Sequence, residues 1–389
     1  MRMTRTFQPV GQGAYFTERF VVDDDLKVNI VYDCGSDSLG YRDLEFVIHS
    51  SFSSNEEIDA VFISHFDNDH VNGLPILMKW CRVKKVILPV VSSRAEIAYW
   101  RFKSLAGVDK KNGYHLSVSN QLLDVDRERA KSIFEGFDVE RPPEIVRVEE
   151  SILGAPTGDS HENRYDFGVP DWAFVPYNFK RFDRESDFRE IFKQAFGNLK
   201  ITVGVNAFIA NPSDVFKSMG ENDSKALLKE INKVTRKKLE TKDFRNRFGS
   251  INGNSMTLYS GELVEDGAYL LSAQCGCGGF RYRAGCLYTG DYEAKDATAY
   301  AELKNFYMRQ HCWDGIGCVQ LPHHGSKHNY NPGFDKDDRC YVASFGLGNR
   351  NHHPGKDVIV GLLKNKRKIV FSTEAHGFLC PCDICQLIV

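Results

Sequence analysis

The 389 residues are 42% apolar and 26% charged, an ordinary globular composition, with length for one large domain or one domain plus a sizeable insertion. Fifty basic against 52 acidic side chains leave a net charge of −2, so no global field draws in nucleic acid or anionic membrane, and any polyanion site has to be local or supplied by metal ions. No apolar run approaches the roughly 18 residues of a spanning helix, and the start MRMTRTFQPVGQG has no apolar h-region, so the expectation is a cytoplasmic protein without membrane contact.

In chain order, the first ninety residues read as strands and turns. LKVNIVYD (26–33) alternates as a half-buried strand does and ends in the turn Asp33-Cys34-Gly35. IDAVFIS (58–64) has the length of a buried strand and empties into HFDNDH, followed by a helix candidate over 71–82 and the strand KKVILPVV (84–91). From about 93 to 250 the chain is rich in Lys, Arg, Glu, Asp and Phe, with helical patterns near 94–105, 119–136, 184–196 and 222–240. That stretch reads as an insertion or cap. Strand rhythm then returns in MTLYSGELV, AYLLSAQ, GCLYTGD, GCVQLPH, RCYVASFG and KIVFST, with helix candidates at 292–310 and 356–364. Strands with polar clusters at their C-terminal ends describe a layered α/β enzyme in three stretches: 1–92, the insertion 93–250, and 251–389.

The chemistry concentrates in Ser64-His65-Phe66-Asp67-Asn68-Asp69-His70-Val71-Asn72-Gly73. Four metal-capable side chains fall in six residues after a buried strand, where a tight loop can aim His65 and Asp67 at one point and Asp69 and His70 at another. Such an arrangement suits two cations sharing a bridging water. Of the 12 histidines, seven fall between 311 and 376, five of them in Leu321-Pro322-His323-His324-Gly325-Ser326, in Asn351-His352-His353-Pro354 and at His376. Thr289-Gly290-Asp291 ends another strand. Ligands gather at successive strand ends because each strand delivers its last residue to the same sheet edge.

H-x-D-x-D-H-x-x-G, T-G-D and P-H-H-G-S together resemble the metallo-β-lactamase fold, and within it the competence-nuclease (ComEC-type) subgroup, which carries Asp in place of the second His of the usual motif. Val10-Gly11-Gln12-Gly13, Asp33-Cys34-Gly35, Asn254-Ser255 and His353-Pro354 resemble further elements of that subgroup, in the same order. The resemblance spans roughly 1–92 and 251–389 and does not extend to the middle. It implies an αββα sandwich, here with a large mainly helical insertion, and two divalent cations, Zn²⁺ or Mn²⁺. It implies His65, Asp67 and His323 around one metal, Asp69, His70 and His353 around the other, and Asp291 between them. His324 is then left for substrate phosphate or leaving-group protonation, although which of His323 and His324 is the ligand stays open. The acidic residue usual after the last strand is replaced by Glu374-Ala375-His376-Gly377, where His376 stands open as an extra ligand, an acid or neither. Asp69, His324 and His376 are thus the catalytic candidates, and Ser64 and Ser326 are orienting or turn residues.

Two cations clamp the attacking and leaving oxygens of an in-line displacement, which makes phosphodiester hydrolysis by a bridging hydroxide, as in a nuclease, the leading expectation. The alternatives are a hydrolase of a small ester (a phosphocholine-type diester, a cyclic nucleotide or a lactone) and a non-catalytic metal-binding interaction module. A nucleic-acid partner would be met by the basic segment 225–247, with nine Lys/Arg against three Asp/Glu, through Lys237 and Lys238 and with Ser326 near the phosphate. The same segment reads equally as a solvated helix face. Aromatic residues in 165–195, from Tyr165 to Phe192, read as base-stacking groups or, more simply, as the core of the cap. Eleven cysteines in a chain without an export signal favour reduced thiols; Cys275 and Cys277, with Cys380, Cys382 and Cys385, have knuckle-like spacing and stand as a possible structural zinc site or as core thiols.

Overall fold

The computed structural model describes residues 1–24, 26–106, 143–148, 151–152, 164–180, 184–249, 255–263, 272–274 and 281–385. Strands β1 (Arg2–Phe7), β2 (Tyr15–Val21) and β3 (Lys27–Cys34) form an antiparallel meander. Beside β3, and parallel to it, follow β4 (Ala60–Phe62), β5 (Lys85–Pro89) and β6 (Glu144–Val148). Next in the chain come β7 (Ala173–Tyr177), β8 (Thr257–Gly261), β9 (Ser272–Gln274), β10 (Arg281–Arg283) and β11 (Gly285–Tyr288). The last four are β12 (Ile316–Gln320), β13 (Cys340–Ser344), β14 (Lys368–Ser372) and β15 (Phe378–Cys385). One nine-stranded sheet runs β10-β9-β15-β1-β2-β3-β4-β5-β6, and a six-stranded sheet runs β7-β8-β11-β12-β13-β14.

Parallel neighbours need crossover connections, and helices supply them. α1 (Tyr41–Ser51) links β3 to β4, while α2 (Asn68–Val71) and α3 (Leu74–Trp80) link β4 to β5. α4 (Arg94–Ala106) follows β5. The cap then contributes α5 (Glu185–Leu199), α6 (Val205–Ala210), α7 (Pro212–Met219), α8 (Glu221–Leu239) and α9 (Lys242–Phe248). α10 (Ala297–Arg309) and α11 (Lys356–Lys364) connect the parallel strands of the second sheet. No helix among the described residues is long and apolar enough to cross a membrane.

Period-2 alternation sorts the strand side chains into layers. From β3, Ile30 and Tyr32 enter the space between the sheets, where Phe62, Phe174, Leu258, Tyr288 and Val342 meet them. Val31 points the other way, into a cluster with Leu44, Ile48, Leu74 and Leu77 from the helices. On the second sheet, Leu287, Val319 and Tyr341 pack against Leu303 and Phe306 of α10 and Leu362 of α11. Helix, sheet, sheet, helix is the αββα sandwich. A buried Arg5–Glu18 pair at 2.6 Å ties its halves together, with Tyr288 Oη and Ser260 Oγ donating to the Glu18 carboxylate at 2.8 and 2.5 Å. Both charges are paired and hydrogen-bonded, as burial demands.

Two strands of the sandwich, β6 and β7, lie inside the 93–250 stretch read from sequence as insertion. Each is five residues long, and β6 carries Glu144 and Arg147 itself, so neither stands out among the charged and loop-rich segments around them. The helical part is α4 together with 185–248, and it shares the apolar cluster on the helical side of the first sheet through Tyr99, Phe188, Phe192, Leu227 and Ile231. Arg184, fully buried, pins it by pairing with Glu96 at 2.8 Å and donating to the Phe248 carbonyl. The helix expected over 119–136 lies outside the described residues. Trp172, Phe174, Tyr177, Phe188 and Phe192 are buried, so these aromatics are core rather than a stacking surface.

Candidate metal centre

The loop after β4 is held from beneath by Asp33, wholly buried at the end of β3 with φ 54°. Its Oδ1 accepts the Ser64 backbone N–H at 2.7 Å, and its Oδ2 accepts Ser64 Oγ at 2.7 Å and His70 Nδ1 at 2.8 Å. Two glycine loops press on the same segment. A β-carbon on Gly35 would stand 2.5 Å from the Asp69 carbonyl carbon, and one on Gly13 would stand 2.9 Å from the Asp69 oxygen. The Ala14 N–H donates to that oxygen at 3.0 Å. V-G-Q-G and D-C-G thus exist for close backbone approach.

Across the sandwich, Gln320 Oε1 accepts the N–H groups of Thr289 and Gly290 at 2.8 and 2.9 Å, which fixes the turn delivering Asp291. His323 N–H donates to Gly290 O at 2.9 Å. His323 and His324 are both left-handed, with φ 49° and 58°, a costly conformation for two consecutive non-glycine residues. The strained turn sends their side chains to different partners: His323 Nε2 lies 3.6 Å from Asp291 Oδ2, and His324 Nε2 lies 3.3 Å from Asp69 Oδ2.

The donors assemble on either side of Asp291, whose Oδ2 faces His65 and His323 and whose Oδ1 faces His70. His65 Nε2 is 3.7 Å from Asp291 Oδ2 and 3.9 Å from Asp67 Oδ2. His70 Nε2 is 3.4 Å from Asp291 Oδ1 and 3.8 Å from Asp69 Oδ2. Donor atoms of His65, His70 and Asp291 lie within 4.8 Å of one another, as do those of Asp69, His70 and His324. Most of these separations are too long for hydrogen bonds, yet they approximate the edges of a tetrahedron, about 3.4 Å for metal–ligand bonds of about 2.1 Å.

The hydrogen bonds also fix the imidazole tautomers. Ser64 Oγ gives its proton to Asp33, so it accepts from His65 Nδ1–H at 2.9 Å; His70 Nδ1–H donates to Asp33, and His324 Nδ1–H to Ser344 O at 2.9 Å. Each ring therefore turns a lone pair at Nε2 toward the centre. All three Nε2 atoms are buried without a hydrogen-bond partner. Orphaned acceptors of this kind fit divalent cations. The local field favours positive charge: burial works to raise Asp291, but His323, His70 and His65 hold it well below the ordinary carboxylate range. Burial works to lower His70 and His324, yet neighbouring carboxylates, Asp69 and Asp291 among them, hold both above the usual imidazole value, so a proton and a cation compete for the same Nε2 lone pairs.

Other residues singled out from sequence sit apart. The His353 ring is 5.3 Å from His323 and 6.1 Å from His324, with its backbone N–H held by Asn349 Oδ1, and His353 belongs to neither close donor group. The place beside Asp69 and His70 that the resemblance gave to His353 is filled by His324. His376 is exposed on the β14–β15 turn, its backbone exchanging hydrogen bonds with Thr373. Ser326 Oγ accepts the His328 N–H, a turn role. Lys238 pairs with Glu190 at 2.7 Å, while Lys237 is exposed. Cys275 and Cys277 lie outside the described residues, and of Cys380, Cys382 and Cys385 only the backbone is described, in β15. Cys34, Cys81, Cys286, Cys312, Cys318 and Cys340 are free thiols. Sequence reasoning gave no site role to Asp33, seen as a turn and as part of the D-C-G element, or to Lys103, seen only as part of a helix; the alternating strand that ends in an acid was the signal available for Asp33.

A model of the metallo-β-lactamase superfamily matches residues 20–166, a range that takes in α4 and β6. The anti-Pycsar protein Apyc1 of Paenibacillus sp. (strain J14) is 26% identical over 222 residues, covering 55% of this chain and 86% of that protein. A solved metallo-β-lactamase motif mutant from Cronobacter sakazakii aligns at 14% identity over 62% of this chain and 95% of its own, with a TM-score of 0.24 that carries no structural weight. With two packed sheets, helices on both outer faces and His and Asp side chains gathered at the strand ends, the chain has the metallo-β-lactamase fold.

Proposed function

We propose that the protein is a dinuclear-metal hydrolase of phosphodiesters, with a small diester ahead of a nucleic-acid chain as substrate. One observation carries the reading: donors gather on both sides of the buried Asp291, its Oδ2 facing His65 and His323 and its Oδ1 facing His70. Cations held there would activate a water and neutralise charge on an in-line displacement. The chain's own contribution is orientation. Asp33 holds His70 and Ser64, Ser64 holds His65, and the Ser344 carbonyl holds His324, so no ligand has to be reoriented on binding.

Features that would have favoured a polymer are spent within the protein. The aromatics are core, Lys238 is tied to Glu190 and stands over the Phe244 ring, and Lys225 and Lys233 pair with Glu221 and Glu230. α4 also reaches the centre, narrowing it on the Asp67 side. A nuclease remains the second reading, since Lys237 and its exposed neighbours on α8 leave some basic surface.

The test is turnover of bis(4-nitrophenyl) phosphate, a cyclic mononucleotide and labelled single-stranded DNA and RNA with Zn²⁺, Mn²⁺ or EDTA, beside Asp69→Ala. Expected are cleavage of the small diesters, lost with chelator and in the variant. A fully metallated protein that cleaves none of them sinks the reading. Faster cleavage of the polymers would put the nuclease first.

A further inference from the structure

α4 connects the cap to the metal centre. Its start is fastened by Glu185, whose Oε2 accepts Ser93 Oγ at 3.0 Å and the Ala95 N–H at 2.8 Å, and by the buried Glu96–Arg184 pair. One turn on, Tyr99 Oη donates to Asn232 Oδ1 of α8 at 3.2 Å. A further turn along this face stands Lys103, as the spacing 96, 99, 103 requires. Its ammonium lies 2.5 Å from Asp67 Oδ1, while Oδ2 of the same carboxylate faces His65 Nε2 at 3.9 Å. The Lys103 side chain is 35% exposed, and Nζ stands 4.6 Å from the centre of the Trp100 ring. The ammonium is thus held between Asp67 and the Trp100 ring beside the donor cluster, while part of the side chain keeps its surface in solvent.

An ammonium has three donors, and one is used on Asp67. We propose that Lys103 is a substrate-binding residue lent by the cap, its ammonium taking a non-bridging oxygen of the phosphodiester on the Asp67 side of the centre. The inference rests on the phosphodiester reading above and deepens it. Charge supports it: Asp33, Asp67, Asp69 and Asp291 bring four carboxylates to this edge, in a chain of net charge −2. An anion approaching them needs fixed positive charge on its outer oxygens as well as at the reacting one. Lys103 stands one carboxylate away from the metal-facing atoms, on a helix whose own anchors do not depend on substrate. A lysine serving only to hold Asp67 would matter for metal retention and not for anion affinity.

The experiment measures inorganic phosphate binding to the metal-loaded protein by calorimetry, together with metal content, for wild type, Lys103→Gln and Lys103→Arg. Expected is a loss of phosphate affinity of about tenfold or more in Lys103→Gln, the scale of a hydrogen bond to a charged group. Lys103→Arg should restore it to within about threefold, with two metals retained in each variant. Phosphate affinity unchanged in a fully metallated Lys103→Gln overturns the proposal, as does metal loss in that variant that accounts for the whole effect, or a metallated wild type that binds no phosphate. Melting curves check folding, and Lys103→Arg carries the test if the glutamine variant unfolds: affinity and metal content near wild type support the proposal, while lost phosphate affinity at full metal content overturns it. A wild type that binds phosphate but cleaves no diester would defeat the hydrolase reading and leave the Lys103 result standing.

Discussion

At the ligand edge, Gly13 and Gly35 have backbone atoms within 2.5 Å of where a β-carbon would stand, whereas Gly197, Gly204 and Gly220 in the cap have nothing within 4 Å. The same residue type serves opposite ends. Around the centre it lets three backbone segments touch, so that Asp69 and His70 are set to a fraction of an ångström. In the cap it marks helix ends, and order there comes from apolar burial by Phe188, Phe192, Leu227 and Ile231. One region is tuned by sterics and hydrogen bonds, the other by area removed from water, and substitutions should separate them.

The largest effect is expected at Asp291, whose two oxygens face donors on opposite sides. Asp291→Ala should lower metal content at both positions and reduce turnover at least about a thousandfold, because each group loses an oxygen. Metal analysis of the purified variant reads this, and retention of two metals would show that the groups do not depend on a common carboxylate. Gly35→Ala should cost about 3 kcal/mol in denaturant unfolding, since the new methyl meets backbone that cannot yield. An unchanged midpoint would mean that the edge is softer than its contacts indicate. Asp33→Asn keeps the shape but removes the charge that His70 and Ser64 lean on, so metal affinity should fall roughly 10–100-fold with little loss of stability; competition with a chromophoric chelator measures it. The smallest effect contrasts with the second: Gly197→Ala, in open space near the end of α5, should stabilise by roughly 0.5–1 kcal/mol with metal content intact. Destabilisation there would erase the contrast between edge and cap.

The centre was more legible in the sequence than the frame around it. HFDNDH, TGD and PHHGS are local, and local clustering of ligands survives in a linear string. Asp33 serves residues 31 and 37 positions away, so its role shows only once β3 and β4 lie side by side. Lys103 is 36 residues from Asp67 and looked like any helix-face lysine. The placement of His324 beside Asp69 follows from two successive left-handed residues, a backbone choice that no side-chain pattern announces. β6 and β7 were hidden because both are only five residues long and sit in charged surroundings, and β7 pairs with β8 far along the chain, Ala173 with Gly261 88 positions on. The layered α/β class was readable because alternation and short buried runs are properties of single strands.

The buried Arg5–Glu18 pair, completed by Tyr288 and Ser260, has a consequence for the order in which the molecule is made. The amino-terminal strands carry two charges whose remaining partners are more than 240 residues downstream, and the HFDNDH loop waits likewise for Asp291 and His324. At about 5–20 residues per second, synthesis of the intervening chain takes on the order of tens of seconds. During that interval the emerging protein holds part of the donor cluster and a salt bridge that is not yet covered, both open to water. Both are completed when the second sheet docks, so assembly of the donor cluster and closure of the sandwich become one event, and a chain cut short upstream of Asp291 would fail at both.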